Sequence, residues 1–209
     1  MRLLQRLIGR QGRAAERGQG LVEFAMVLPV IMTLILGGIE FGFMFNSNIS
    51  LEYASREGAR VGSALVNGGG TLGCGGSLSP NALNVDPLII EAVNRVLTSP
   101  GSPLLVPDVQ RIRIYEADAA GNVVGGNANV WLPTPGAGPF PLGSTKRLDF
   151  TQSSAPWDAC SRQNVLPTPD SIGVEIIYLY RIRMPFLNLT GLTTYPMRDV
   201  TIMSMNPTS

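Results

Sequence analysis

The sequence predicts an α+β protein: a long N-terminal transmembrane helix that continues into an extracytoplasmic domain with a short helix and an antiparallel sheet. Three observations predict it. Residues 21–45 are an apolar run behind an arginine-rich start. Residues 51–65 keep a helical spacing of apolar and small side chains beyond that run. Residues 109–117 and 172–184 alternate apolar and polar side chains at the period of a strand.

Residues 1–18 come first, as a basic cytoplasmic leader. They hold Arg2, Arg6, Arg10, Arg13 and Arg17 against Glu16 alone. The whole chain is nearly neutral, with 16 Lys+Arg and 15 Asp+Glu in 209 residues. The leader therefore reads as a membrane-side tail, and nothing in the net charge calls for a nucleic-acid partner.

The transmembrane helix is expected over 19–45. Leu21 to Phe45 contains only Glu23 and Glu40 as ionisable groups. As a helix it extends about 37 Å, against roughly 30 Å of bilayer hydrocarbon. A cleaved secretory signal has a shorter core and a small-residue site after it, and this run has neither feature. More cations precede the run than follow it, which puts the N-terminus in the cytoplasm and residues 46–209 outside. Pro29 is expected to kink the helix. Gly38 and Gly42, four apart beside Gly37, allow close helix packing. Glu40 is near enough to Phe45 to reach the outer interface, or else it makes a contact between subunits.

Residues 46–66 continue the helix. Leu51, Ala54, Gly58, Val61 and Leu65 fall at a 3-4-3-4 spacing. That seam packs on the protein's own outer domain or on another subunit. A glycine-rich linker follows over 67–85. The outer α+β domain is read from 86 to 209, with Asp86-Pro87 opening a helix as N-cap and first helical residue. Its apolar face is Ile89, Ala92, Val93, Val96 and Leu97, and Ser99-Pro100 ends it. Strands are expected at 109–117, 123–132, 172–184 and 195–205. Residues 133–170, with seven prolines, read as a long irregular loop. The arginines of RIRIY and YRIRM are a solvated face or an anionic-ligand patch.

Glu23 stands two residues into the apolar run. It can sit in the headgroup zone, eased by the helix N-terminus. The sharper reading starts from Gly18, five residues earlier. A cut after Gly18 makes Gln19 the new N-terminus and sets its ammonium one helical turn from Glu23. That pair of charges, each costly in lipid, could then fix the register of neighbouring helices.

The pattern of basic leader, Gly18, four residues, Glu23-Phe24 and a long apolar helix resembles the class III signal sequence of type IV pilins and pseudopilins. Residues 17–66 are similar to TadE-like proteins of the tight-adherence (Tad) pilus system, at RGQGLVEFAMVLPVIMTLILGGIEFG and again at SREGARVGSALV. The resemblance implies a prepilin peptidase that cleaves between Gly18 and Gln19, with Glu23 and Phe24 serving assembly. The implied partners are the membrane, that peptidase, the inner-membrane pilus platform and other pilin or pseudopilin subunits. Gln19 stands where many type IV pilins have an aromatic residue, which leaves N-methylation of the new terminus open.

The chain is longer than a major Tad pilin, so a minor or priming subunit is expected, in the cytoplasmic membrane or in a surface pilus. The alternative is an unprocessed signal-anchored binding protein. An enzyme is the weakest reading. There are no histidines, which removes the commonest general base and metal ligand, and there is no GxSxG. No cofactor or metal is expected. Cys74 and Cys160, both on the outer side, form a disulfide or remain two buried thiols.

Overall fold

The computed structural model describes residues 2–65, 82–138, 147–163, 166–184 and 191–205, with the backbone alone described before residue 19. The described chain is α+β, as the sequence predicts. It divides into two compact units, Met1–Gly42 and Phe43–Ser209, and the division falls inside the first helix.

Helix α1 is Arg2–Ala64. It begins inside the leader and passes through Pro29 as one element. The hydroxyl of Thr33 donates to the Pro29 carbonyl at 2.8 Å. From Gln19 onward the helix is long and apolar enough to cross a membrane. In the first unit its large apolar side chains, among them Leu21, Phe24, Met26 and Leu34, are exposed.

The second unit is a five-stranded antiparallel sheet with helices on one face. Helix α2 is Ala82–Leu97. Strands β1 (Val109–Ala117), β2 (Val123–Gly138), β3 (Leu148–Ser154), β4 (Ser171–Arg181) and β5 (Thr194–Ser204) follow. The sheet order is β3-β2-β1-β4-β5, so β3 and β5 are its end strands. Every neighbouring pair is antiparallel. Pro196 of β5 lies opposite Leu179 of β4.

One sheet face carries the core. Ile112 and Ile114 of β1, Trp131 of β2, and Ile172, Val174, Ile176, Tyr178 and Tyr180 of β4 are buried in it. They join Val85, Ile89, Ile90, Val93 and Leu97 of α2 and Leu51, Ala54 and Ala59 of α1. Each large aliphatic side chain so buried stabilises by about 1.5–3 kcal/mol.

Three expectations are corrected. Helix α2 begins at Ala82, with Pro87 inside it, so Asp86 is not its cap. The Asp86 carboxylate instead has buried partners on β2 and beyond, described below. Residues 133–170 are not one irregular loop: β2 runs on to Gly138, and β3 lies within the span. Pro133 and Pro135 are tolerated because β2 pairs with β1 only from Val123 to Trp131. Beyond Trp131 that strand is bonded on the β3 side alone, and on the vacated side a missing N–H breaks no ladder bond. The buried stripe of α1 also includes Ser55, Gly62 and Ser63, while Val61 and Leu65 are only partly buried.

Candidate functional site

The residues singled out for assembly lie on α1. Gln19 and Glu23 are exposed, and the Gln19 Nε2 donates to Glu23 Oε1 at 3.2 Å. Positions 19 and 23 therefore share a helix face, as the spacing requires. Phe24 is exposed beside them. Gly18 lies in α1, and its surroundings are outside the described residues. Side chains added at Gly37, Gly38 or Gly42 would meet nothing within 4 Å, which leaves that stripe open. Glu40, expected to reach an interface, is only 5 % exposed.

In the second motif, Arg56-Glu57-Gly58-Ala59-Arg60, Gly58 and Ala59 pack and the charged residues pair. A Cβ at Gly58 would stand 2.6 Å from Val93 Cγ2 of α2 and 3.3 Å from Val174 Cγ1 of β4. One at Gly62 would stand 2.5 Å from Ile172 Cδ1 and 3.1 Å from Ile89 Cδ1. The two glycines are what let α1 lie against both α2 and β4. Glu57 accepts from Arg60 at 2.8 Å and from Arg95 of α2 at 2.9 Å, which ties the two helices. The hydrogen bond from Arg60, joined by the charges of Arg60 and Arg95, holds the Glu57 carboxyl below its usual range against a smaller opposing effect of burial. Arg56 pairs with Glu52 one turn back. One turn before Ala59, Ser55 is buried and hydrogen-bonded to Asp199 and, at 2.7 Å, to Thr201 of β5. The seam on residues 51–63 therefore packs on the protein's own domain.

Two polar networks were not foreseen. On the sheet face away from the helices, the Glu175 carboxylate of β4 is 1 % exposed. Arg113 of β1 donates to one of its oxygens and Arg198 of β5 to the other. Burial pushes this carboxyl up, but the hydrogen bonds and charges of the two arginines outweigh it and hold it below the usual range. The second network is inside. Arg162 donates to Asp86 Oδ1 at 2.7 Å, and Asn129 donates to Asp86 Oδ2 at 2.6 Å. Asn129 also exchanges hydrogen bonds with the Trp157 backbone, both at 2.8 Å. The Arg162 guanidinium lies 4.3 Å from the centre of the Trp157 ring. These contacts pin the segment after β3 onto α2 and β2. A cleft of about 200 Å³ opens beside it, lined by Leu83, Asp86, Asn129 and Trp157 among others. Asp86 borders it with both oxygens already engaged.

The arginines of RIRIY and YRIRM are thus partly taken up by the protein's own acids. Arg113 holds Glu175, and Arg181 donates to Asp108 Oδ1 at 2.6 Å. Among the described residues no group of three or more His, Cys, Asp or Glu is placed to hold a metal. Cys160 lies in a 3₁₀ turn, Ala159–Ser161, and its own N–H donates to the Asp158 carboxylate at 2.9 Å. Cys74 lies outside the described residues.

The first unit is an apolar helix whose large side chains are exposed. It offers surfaces for lipid or neighbouring helices, and the comparison with known families accords with that. Residues 18–60 match the family of TadE-like proteins. The TadE-like segment begins at Gly18 and ends at Arg60, so it takes in Glu23, the open glycine stripe and the whole Arg56–Arg60 motif. It leaves α2 and the sheet outside. No curated protein and no solved structure matches the chain. The TadE-like segment points to a protein associated with the Tad pilus, and among the described residues one helix, from Gln19 onward, is long and apolar enough to cross a membrane.

Proposed function

We propose that the chain is a minor pilin or pseudopilin, a membrane-anchored subunit for assembly of a Tad pilus or a related secretion apparatus. It inserts with its arginine-rich start in the cytoplasm and its sheet domain outside. A prepilin peptidase cuts between Gly18 and Gln19, and the new ammonium and Glu23 set the register of adjacent helices. Its other partners are the inner-membrane platform and other pilin subunits, and it does no chemistry itself. Cys74 and Cys160 form a disulfide on the outer side, where an oxidising environment lets it persist.

The observation that carries this reading is that the TadE-like match opens at Gly18, on a helix that presents Gln19 and Glu23 on one exposed face. Mass spectrometry of the chain recovered from membranes tests it. Loss of residues 1–18, with Gln19 first, is the expected result, and Gly18→Ala should block the cut. Glu23→Ala should leave insertion intact while reducing incorporation into pili. A functional chain that retains Met1 would overturn the reading in favour of an unprocessed, signal-anchored binding protein.

A further inference from the structure

The sheet face away from the helices is not a polar one. An antiparallel sheet with one wet face alternates apolar side chains inside with polar ones outside. Here the outward positions carry aliphatic side chains on three strands. β4 places Ile177 and Leu179 there, β5 places Val200 and Ile202, and β2 places Val130. Ile202 is exposed and the other four are half-buried.

The register sets them in rows with arginines. Val130, Arg113, Glu175 and Val200 run side by side across β2, β1, β4 and β5. Arg111, Ile177 and Arg198 form the row on one side of these. Ala128, Tyr115, Gly173 and Ile202 form the row on the other. The Tyr115 ring lies against Gly173, where a Cβ would stand 2.7 Å from both ring Cε atoms. The missing side chain lets the ring sink into the sheet, so the middle of the face stays level. Glu175 is the one acid that the described residues of these four strands place on it. Arg113 and Arg198 share that carboxylate, and Arg111 is exposed beside Ile177. The face is aliphatic, level and in surplus of positive charge.

We propose that this face docks an acidic amphipathic helix of a different protein, with carboxylates on Arg111 and Arg198 and aliphatic side chains on Ile177, Val200 and Ile202. Charge complementarity selects an acidic occupant. The aliphatic floor selects an amphipathic protein segment over a bare polyanion, which would leave that floor wet. A helix is the element that already covers the opposite face of this sheet. A second copy meeting face to face would set arginine against arginine, so the occupant is another chain. Every residue involved belongs to the second unit, and the proposal is independent of cleavage at Gly18 and of entry into a pilus.

The test uses the full chain in phosphatidylcholine nanodiscs, titrated with a fluorescent helical peptide that carries leucine on one face and glutamate on the other. Empty nanodiscs correct for binding to lipid. The peptide should bind, and its twin with lysine for glutamate should not. Arg111→Glu should weaken binding about tenfold at low salt and less at high salt. Ile202→Ser should weaken it at both. Both positions are exposed, and an unchanged melting transition checks that each variant is folded. The contrast between the two peptides on the parent chain needs no variant at all. Failure of the acidic peptide to bind the parent chain, or equal binding of the two peptides, overturns the proposal. Polyglutamate binding as tightly as the acidic peptide overturns the part given to the aliphatic floor. Self-association of the chain that Arg111→Glu abolishes overturns the choice of a different protein as occupant.

Discussion

The two halves of α1 obey opposite rules along one continuous helix. Before Phe43 the side chains are large, apolar and exposed. After Leu51 the stripe that is buried is small: Ala54, Ser55, Gly58, Ala59, Gly62 and Ser63. The lesson is that apolar character alone does not tell which part of a helix its own protein will cover. Where the domain must come close, the helix gives up side-chain volume so that Val93, Val174 and Ile172 can fill the space. Where its large side chains are exposed, it keeps volume for lipid or for neighbouring copies.

That contrast can be broken in measurable ways. The largest effect is expected inside the domain. Asp86→Ala leaves Arg162 buried without its counter-charge, and thermal unfolding of the full chain in detergent should show a loss of about 3–5 kcal/mol. Leu34→Ala, in the exposed half, should leave the same transition in place. Next comes overpacking. Gly58→Val pushes into the stiff Val93 side chain and should cost about 1–3 kcal/mol, whereas Gly38→Ala meets no atom within 4 Å and should not shift the melt.

The Glu175 network sharpens the comparison through pH. Its carboxyl sits below its ordinary value of 4.5 in the folded chain. The stability it contributes is therefore present above that ordinary value and is lost as pH falls through the lower folded one. A melting-temperature profile should drop on acidification below about pH 4.5, and Glu175→Gln should flatten the drop. The cost of that substitution at neutral pH is about 1–3 kcal/mol, since Arg113 and Arg198 lose a charged acceptor but can turn to water. Asp170 works the other way: burial raises its carboxyl, so its contribution recovers as pH falls. The smallest effect is Glu57→Gln. Its arginine partners are largely solvent-exposed, so the same melt should move by less than about 1 kcal/mol.

Much of this architecture was legible in the sequence. The alternation from Ile172 to Tyr180 predicts the buried face of β4, and the spacing of Leu51, Ala54 and Gly58 predicts the packed face of α1. What escaped was whatever depends on strand order. Glu175 falls on the face that alternation assigns to water, and it is buried only because β1 and β5 flank β4 and fold arginines over it. Asp86 and Arg162 are 76 positions apart, and no local spacing joins them. The far half of β2 was hidden by Pro133 and Pro135, whose harm lessens once β2 is seen to lose its β1 partner past Trp131. Among the assembly residues, the shared face of Gln19 and Glu23 followed from helical geometry, while the depth to which Gly58 and Gly62 are pressed needed the partners in place.

Pro196 has a consequence for how copies of this domain can meet. It sits in an end strand, where an incoming strand would look for a regular row of backbone donors. The ring supplies none at its position, and the adjoining Arg198 and Asp199 add charge. Crowded molecules are thereby discouraged from fusing into one extended ribbon through β5.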